Sequence, residues 1–142
     1  MTTTRNASTH WEGGLLDGAG QATLDYSGLG TFDVSWPART ETTSGKTSPE
    51  ELIAAAHSAC FSMAFSARLA KNETPPAGLD TSVEVDFVPG QGITEIRIKT
   101  VGNIPGIDEE TFQALAADAK ENCPVSQALA SVPSITIEAS LA

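Results

Sequence analysis

The sequence predicts an α+β fold with the element order βββ-α-ββ-αα-β, and three observations carry that prediction. The first third is glycine-rich, with short strand-forming runs between the glycines. The middle holds one long apolar stretch with a clear helix start. The remainder shows two runs of period-two alternation, then helical spacing, then one more strand-like run.

Thr9–Leu16, Gln21–Ser27 and Thr31–Trp36 are the first three strands. Gly13-Gly14, Gly18–Gly20 and Gly28–Gly30 supply the turns, so an antiparallel meander is expected. Pro37–Thr47 (PARTETTSGKT) reads as a polar loop holding Arg39. Ser48-Pro49-Glu50-Glu51 then starts a helix: Ser48 as N-cap, Pro49 at the first helical position, Glu51 completing a capping box. The helix should run to Lys71, where Asn72 and Pro75-Pro76 stop it. Leu52, Ile53, Ala56, Phe61, Met63, Phe65 and Leu69 wrap most of its circumference, which predicts a central helix covered on more than one face.

Ser82–Val88 and Thr94–Val101 alternate as strands, joined by a hairpin loop at Pro89–Gly92. Asp108 caps a second helix that presents Phe112, Leu115, Ala116 and Ala119 on one face and breaks near Asn122. Cys123-Pro124 restarts a short helix through Ala130, and Ser134–Leu141 is the closing strand. Antiparallel sheets around the long helix are the expected arrangement, with residues 1–142 as a single domain.

With 18 acidic against 8 basic residues, the net charge is −10. Such a chain repels phosphate backbones and anionic lipid, so neither a nucleic-acid nor a membrane partner is expected. MTTTRNAS lacks the apolar centre of a signal peptide. Leu52–Leu69 is interrupted by His57, several serines and Arg68, and reads as a buried helix rather than a membrane span. Two cysteines make neither a secreted disulfide framework nor a zinc knuckle. The cytosol is the expected compartment, where a disulfide would be transient and catalytic.

The two thiols sit in different surroundings. Cys123 precedes a helix start, where unpaired N–H groups favour thiolate. Cys60, expected to be the deeper, lies three turns into the long helix, where apolar burial raises a thiol pKa unless a cation approaches. Cysteine is also a common core filler, so packing and catalysis both remain open for it. His57 shares a helix face with Cys60, yet two ligands make no zinc site and no third group orients a Cys–His pair. His57 therefore reads as structural or supporting, and His10, beside Trp11, as surface or dimer contact.

SPEELIAAAHSACFSMAFS (Ser48–Ser66), PGID (Pro105–Asp108) and CPVSQAL (Cys123–Leu129), in this order, resemble the osmotically inducible protein / organic hydroperoxide resistance (OsmC/Ohr) family. HWEG at His10–Gly13 and the position of Arg39 resemble its OsmC branch. The resemblance implies a thiol peroxidase acting on organic hydroperoxides, built as an intertwined homodimer with an OsmC-like fold and no metal or organic cofactor. It places the peroxidatic thiol at Cys60, the resolving thiol at Cys123, the arginine at Arg39 and its glutamate partner at Glu50. It also implies recycling of a Cys60–Cys123 disulfide by a small, lipoyl-like dithiol. Ser48 stands where the family commonly has asparagine, an equally good N-cap, and no aromatic follows Arg39.

In that reading Arg39 is the cation that Cys60 lacks, and Glu50 fixes its geometry while Glu51 serves the capping box. Ten helical residues, about 15 Å, separate Glu50 from Cys60, so a shared site calls for another element or a second subunit. An apolar lining from Ile53, Ala56, Phe61, Met63 and Phe65 would favour organic hydroperoxides over hydrogen peroxide. Two alternatives stand beside it: a non-catalytic dimeric stress protein with packing cysteines, and a Cys60/His57 hydrolase.

Overall fold

The computed structural model describes residues 1–42 and 45–142. The chain forms two compact units, Met1–Leu52 and Ile53–Ala142.

The first unit holds β1 (Ser8–Glu12), β2 (Ala19–Thr23), β3 (Thr31–Val34), the short helix α1 (Trp36–Thr40) and the first turn of α2 (Pro49–Lys71). The strands pair antiparallel in the order β1-β2-β3, as the meander predicted. Each is shorter than its sequence run. β1 stops at Glu12 because Gly13 takes φ +88°, and the Trp11 indole N–H donates to the Gly13 carbonyl at 3.0 Å. Leu15 and Leu16 consequently sit in a turn rather than a strand. β3 stops at Val34 because Ser35 caps α1, its Oγ accepting from the Ala38 N–H at 3.2 Å.

Helix α1 corrects the expectation of a polar loop over Pro37–Thr47: Arg39 lies on a helix. Thr43 and Ser44 of that stretch lie outside the described residues. The far end returns to the sheet, where the Thr47 N–H donates to the Asp33 carbonyl at 2.9 Å. Trp11, Leu15, Leu16, Tyr26, Leu29 and Phe32 remain exposed, because three short strands offer too little surface to bury them.

At the start of α2, Ser48 Oγ accepts from the Glu51 N–H at 3.2 Å, as predicted. The return half of the capping box is not made. The Glu51 carboxylate instead accepts from the hydroxyl of Thr47, which its bridge beside Val34 holds nearby.

The second unit contains the rest of α2, β4 (Gly78–Val88), β5 (Gly92–Asn103), α3 (Glu109–Asn122), α4 (Pro124–Ala128) and β6 (Ser134–Leu141). Asp108 caps α3 as expected, accepting from the Thr111 N–H at 2.8 Å. β4 and β5 form the predicted hairpin, both longer than their alternating runs. The expectation of purely antiparallel sheets is corrected here: β6 pairs parallel to β5, with Ile135 opposite Ile96 and Ile137 opposite Ile98. α3 and α4 together make the crossover that a parallel pair requires.

The core joins Phe61, Phe65 and Leu69 of α2 to Ile96 and Ile98 of β5 and Phe112, Ala116 and Ala119 of α3. Phe65 is its hub, with ring centroids 5.6 Å from Phe61 and 5.5 Å from Phe112. Gly102 lets β5 approach α3: a Cβ there would stand 2.9 Å from Ile104 Cδ1 and 3.2 Å from Phe112 Cε2.

Buried His57, Phe61, Phe65 and Leu69 recur every four residues along one face of α2. Within its unit, α2 is covered along this one face. Ala55, Ala56, Ala59 and Met63 are exposed, and Met63 keeps 73% of its surface. By length and apolarity α2 could cross a membrane, but its buried face is committed to the unit's core, and it is a core helix.

Candidate active site

The sequence-predicted site residues form two clusters, one in each unit. In the first, Arg39 and Glu50 are brought together by α1 and the opening turn of α2. Arg39 Nε donates to both carboxylate oxygens, at 2.9 and 3.1 Å, and Nη2 donates to Oε1 at 2.7 Å. Glu50 is buried at 6% exposure, so the planar fork of Arg39 replaces the water its charge has lost. The guanidinium carbon also lies 5.8 Å from the Trp36 ring centroid, within cation–π range. A cavity of about 370 Å³ in this unit is walled by Trp11, Leu15, Val34, Trp36, Arg39 and Leu52. Its walls are mostly apolar, with Thr9, Ser35 and Arg39 as the polar residues, a combination that suits an alkyl body carrying a polar group.

In the second unit, α2 carries Cys60 and the N-cap position of α4 carries Cys123. Both are free thiols, with sulfurs 3.0 Å apart across a sequence separation of 63. That is hydrogen-bond contact, about 1 Å longer than a disulfide bond. Cys123 is fully buried and Cys60 half-buried, which reverses the expectation that Cys60 is the deeper.

Burial pushes the Cys60 thiol up, and contact with Cys123 adds to the rise, with the Val125 N–H acting against it. Burial also raises Cys123. There the contact with Cys60, the N–H and hydroxyl of Ser126 and the N–H of Val125 outweigh it and bring that thiol below its ordinary value. The Cys123 thiol makes no cap hydrogen bond to the helix, so these groups act by favouring thiolate over thiol. At 3.0 Å the two sulfurs titrate as a coupled pair.

His57 is fully buried, and its Nε2 lies 2.7 Å from Ser126 Oγ, while Nδ1 has no hydrogen-bond partner. Burial lowers its pKa and keeps the ring neutral. Neither ring nitrogen bonds Cys60, so the Cys60/His57 dyad that a hydrolase needs is not formed. The apolar lining expected around Cys60 is also not a pocket: Phe61 and Phe65 are wholly in the core, while Met63 and Ala56 lie on the bare face of α2. His10 is an exposed strand residue, 3.4 Å from Glu12.

Ser126 was not legible as a site residue. Its signal is its place three residues after Cys123, on the same side of a short helix. Among the described residues, no group of three or more His, Cys, Asp or Glu side chains could hold a metal ion.

The geometry defines a dithiol protein on a mixed α+β scaffold. The chain belongs to the OsmC-like family: residues 42–138 match the family described as OsmC-like protein. It is 39% identical to peroxiredoxin OsmC of Escherichia coli (strain K12) over 132 residues, 91% of this chain and 92% of that protein. It is 36% identical to an organic hydroperoxide resistance protein of Xanthomonas axonopodis pv. citri (strain 306) over 87 residues, 58% of each chain. Among solved structures, an organic hydroperoxide resistance protein OsmC from Legionella pneumophila aligns with a TM-score of 0.70 at 26% identity, covering 100% of this chain and 98% of that one. The OsmC/Ohr resemblance and the α+β fold class both hold.

Proposed function

We propose that this chain is a cysteine-based peroxidase that reduces organic hydroperoxides to alcohols. The observation that carries the reading is the 3.0 Å approach of two free sulfurs, which lets one resolve an intermediate formed on the other. The names of the relatives, a peroxiredoxin and organic hydroperoxide resistance proteins, support it.

Cys60 thiolate attacks the terminal oxygen of ROOH. The O–O bond breaks, ROH leaves with a proton, and Cys60 becomes a sulfenic acid. Cys123 thiolate then forms the S–S bond as the S–O bond breaks, and the hydroxide leaves as water. A small dithiol, lipoyl-like by family analogy, reopens the disulfide by exchange and carries away the two electrons' worth of oxidation.

Cys60 needs a cation to ionise ahead of Cys123, since burial raises it. Arg39, held in a fixed orientation by Glu50, is the group assigned to that role, within one chain or across a dimer. The protein works as a homodimer in the cytosol, with residues 1–142 as one domain. The exposed apolar residues of the first sheet and the bare alanine and methionine face of α2 support a second copy as their cover.

Intact-mass analysis after one equivalent of tert-butyl hydroperoxide tests the reading. The enzyme loses two hydrogens to one internal disulfide, whereas a protein with packing cysteines stays reduced and ends the proposal. A kcat/KM for hydrogen peroxide equal to or above that for tert-butyl hydroperoxide would remove the organic preference. Dimers mixed from Cys60→Ser and Glu50→Ala chains regain activity only if the site is shared between subunits.

A further inference from the structure

We infer that the hydrogen bond between His57 and Ser126 is a register pin for the two thiols, which makes both residues positioning residues for closure of the Cys60–Cys123 disulfide. This deepens the peroxidase reading, in which that closure is the resolving step, but its test uses no peroxide.

The two contacts form a ladder. His57 and Cys60 lie three residues apart on α2, and Cys123 and Ser126 lie three residues apart across the N-cap and first turn of α4. His57 Nε2 meets Ser126 Oγ at 2.7 Å, and Cys60 Sγ meets Cys123 Sγ at 3.0 Å. The earlier residue of each helix pair thus meets the later residue of the other, so the two segments run in opposite senses, with their rungs about 4.5 Å of helix rise apart. Two rungs a turn apart fix both the sliding and the rotation of α4 against α2, which neither rung does alone.

Cys123 needs that restraint. It is at once the C-cap of α3, its N–H donating to the Ala119 carbonyl at 2.9 Å, and the N-cap of α4, its carbonyl accepting from the Gln127 N–H at 3.0 Å. Its sulfur therefore sits on the joint between two helices, and the seat of α4 sets the direction of that joint. With five residues, α4 is too short to hold itself. Leu129, its C-cap, packs against the core, and the His57–Ser126 bond secures its first turn. His57 is fully buried and Ser126 nearly so, so water does not compete for either partner. The bond forms in either neutral tautomer, since Nε2 can donate to the hydroxyl or accept from it. Among the described residues Nδ1 has no hydrogen-bond partner, so the polar contact of the ring is the one with the serine. A sulfur shift of about 1 Å closes the disulfide and leaves the pin in place, so the ordering that closure requires is already present in the dithiol.

The test equilibrates the full chain in dithiothreitol redox buffers and reads the oxidised fraction by intact mass after acid quenching and alkylation. In each exchange dithiothreitol closes to its own cyclic disulfide and passes two electrons and two protons to Cys60 and Cys123. The equilibrium constant therefore reports the effective concentration of one protein thiol at the other. Ser126→Ala should lower that concentration about fivefold, the scale of one hydrogen bond, which makes the reduction potential about 20 mV less negative. Ser126→Thr keeps the hydroxyl and should restore it. His57→Leu should match Ser126→Ala, and the double variant should add nothing further. A role in stability alone lowers the folded state equally in both redox forms and leaves the potential where it was. An unchanged or more negative potential in Ser126→Ala, or a threonine variant no better than the alanine one, overturns the inference. So does an unsubstituted protein that forms no internal disulfide in these buffers. If His57→Leu does not fold, the two Ser126 variants decide alone. A protein that shows these shifts but forms no disulfide with a hydroperoxide loses the peroxidase reading and keeps the pin.

Discussion

Cys60 and Cys123 place their sulfurs 3.0 Å apart while both remain reduced, where a long helix meets the N-cap of a short one. Closing that gap to a bond needs a shift of about 1 Å, within the reach of small side-chain adjustments. The resolving step therefore needs no large rearrangement of the second unit.

Replacing the thiols separates the two chemical steps. Cys60→Ser should consume no hydroperoxide. Cys123→Ser should complete one turnover and stop with a sulfenic acid that dimedone traps. A Cys123→Ser protein that cycles at the original rate with a dithiol would show that Cys123 resolves nothing.

Disulfide formation should raise thermal stability. The bond would close a loop of about 60 residues, worth about 4 kcal/mol in unfolded-state entropy, so the melting temperature should rise by about 10 °C on oxidation. Calorimetry of the oxidised and reduced forms measures it, and equal melting temperatures would mean that the bond strains the native state.

The Arg39–Glu50 pair predicts an asymmetric response. Glu50→Ala leaves a guanidinium beside an apolar cavity and should cost about 2–3 kcal/mol, less than a fully buried pair because Arg39 reaches solvent. Arg39→Lys keeps the charge but loses the fork that binds both carboxylate oxygens, and should lower activity at least tenfold. Chemical denaturation and hydroperoxide kinetics on the two variants check each half.

His57 gives a pH dependence with a definite sign. Its folded pKa lies below the ordinary value of 6.5, so as pH falls through that value the unfolded chain takes up a proton the folded chain refuses. Stability is then lost from about pH 6.5 down to the folded pKa and levels off below it. His57→Gln removes this contribution, so its denaturation midpoint should change less over the same range than that of the unsubstituted protein.

If the proposed homodimer closes over the bare face of α2, Met63→Glu should shift the protein toward monomer in sedimentation, because it puts a charge on that face. An unchanged mass would move the dimer contact elsewhere.

Local signals in the sequence translated well. Ser48 and Asp108 cap their helices, Asn122 ends α3, and Ser134–Leu141 is β6. Helix α1 was missed although Ser35-Trp36-Pro37 repeats the serine-then-proline logic of Ser48-Pro49, because the polar run after it looked like a loop. The parallel pairing of β5 with β6 was hidden for a different reason: strand direction is set by how α3 and α4 pack, not by alternation within either strand. Arg39 and Glu50 pair as expected, although Glu51, assigned to the cap, accepts from the Thr47 hydroxyl instead. The relative depth of the thiols was not legible, because a helix position fixes a face and not what covers it. Nor was the His57–Ser126 contact, which joins positions 69 apart.

The parallel ladder also dictates an order of events as the chain acquires its native form. The β4–β5 hairpin can zip from its own turn, but β6 must wait until the whole α3–α4 segment has found its seat, the slower closure. Until then Cys123 travels on a segment with no fixed neighbour, so oxidant present during renaturation would couple sulfurs between molecules. Recovery from denaturant should accordingly be highest with a reductant present throughout, and oxidation should be introduced only after the last strand has docked.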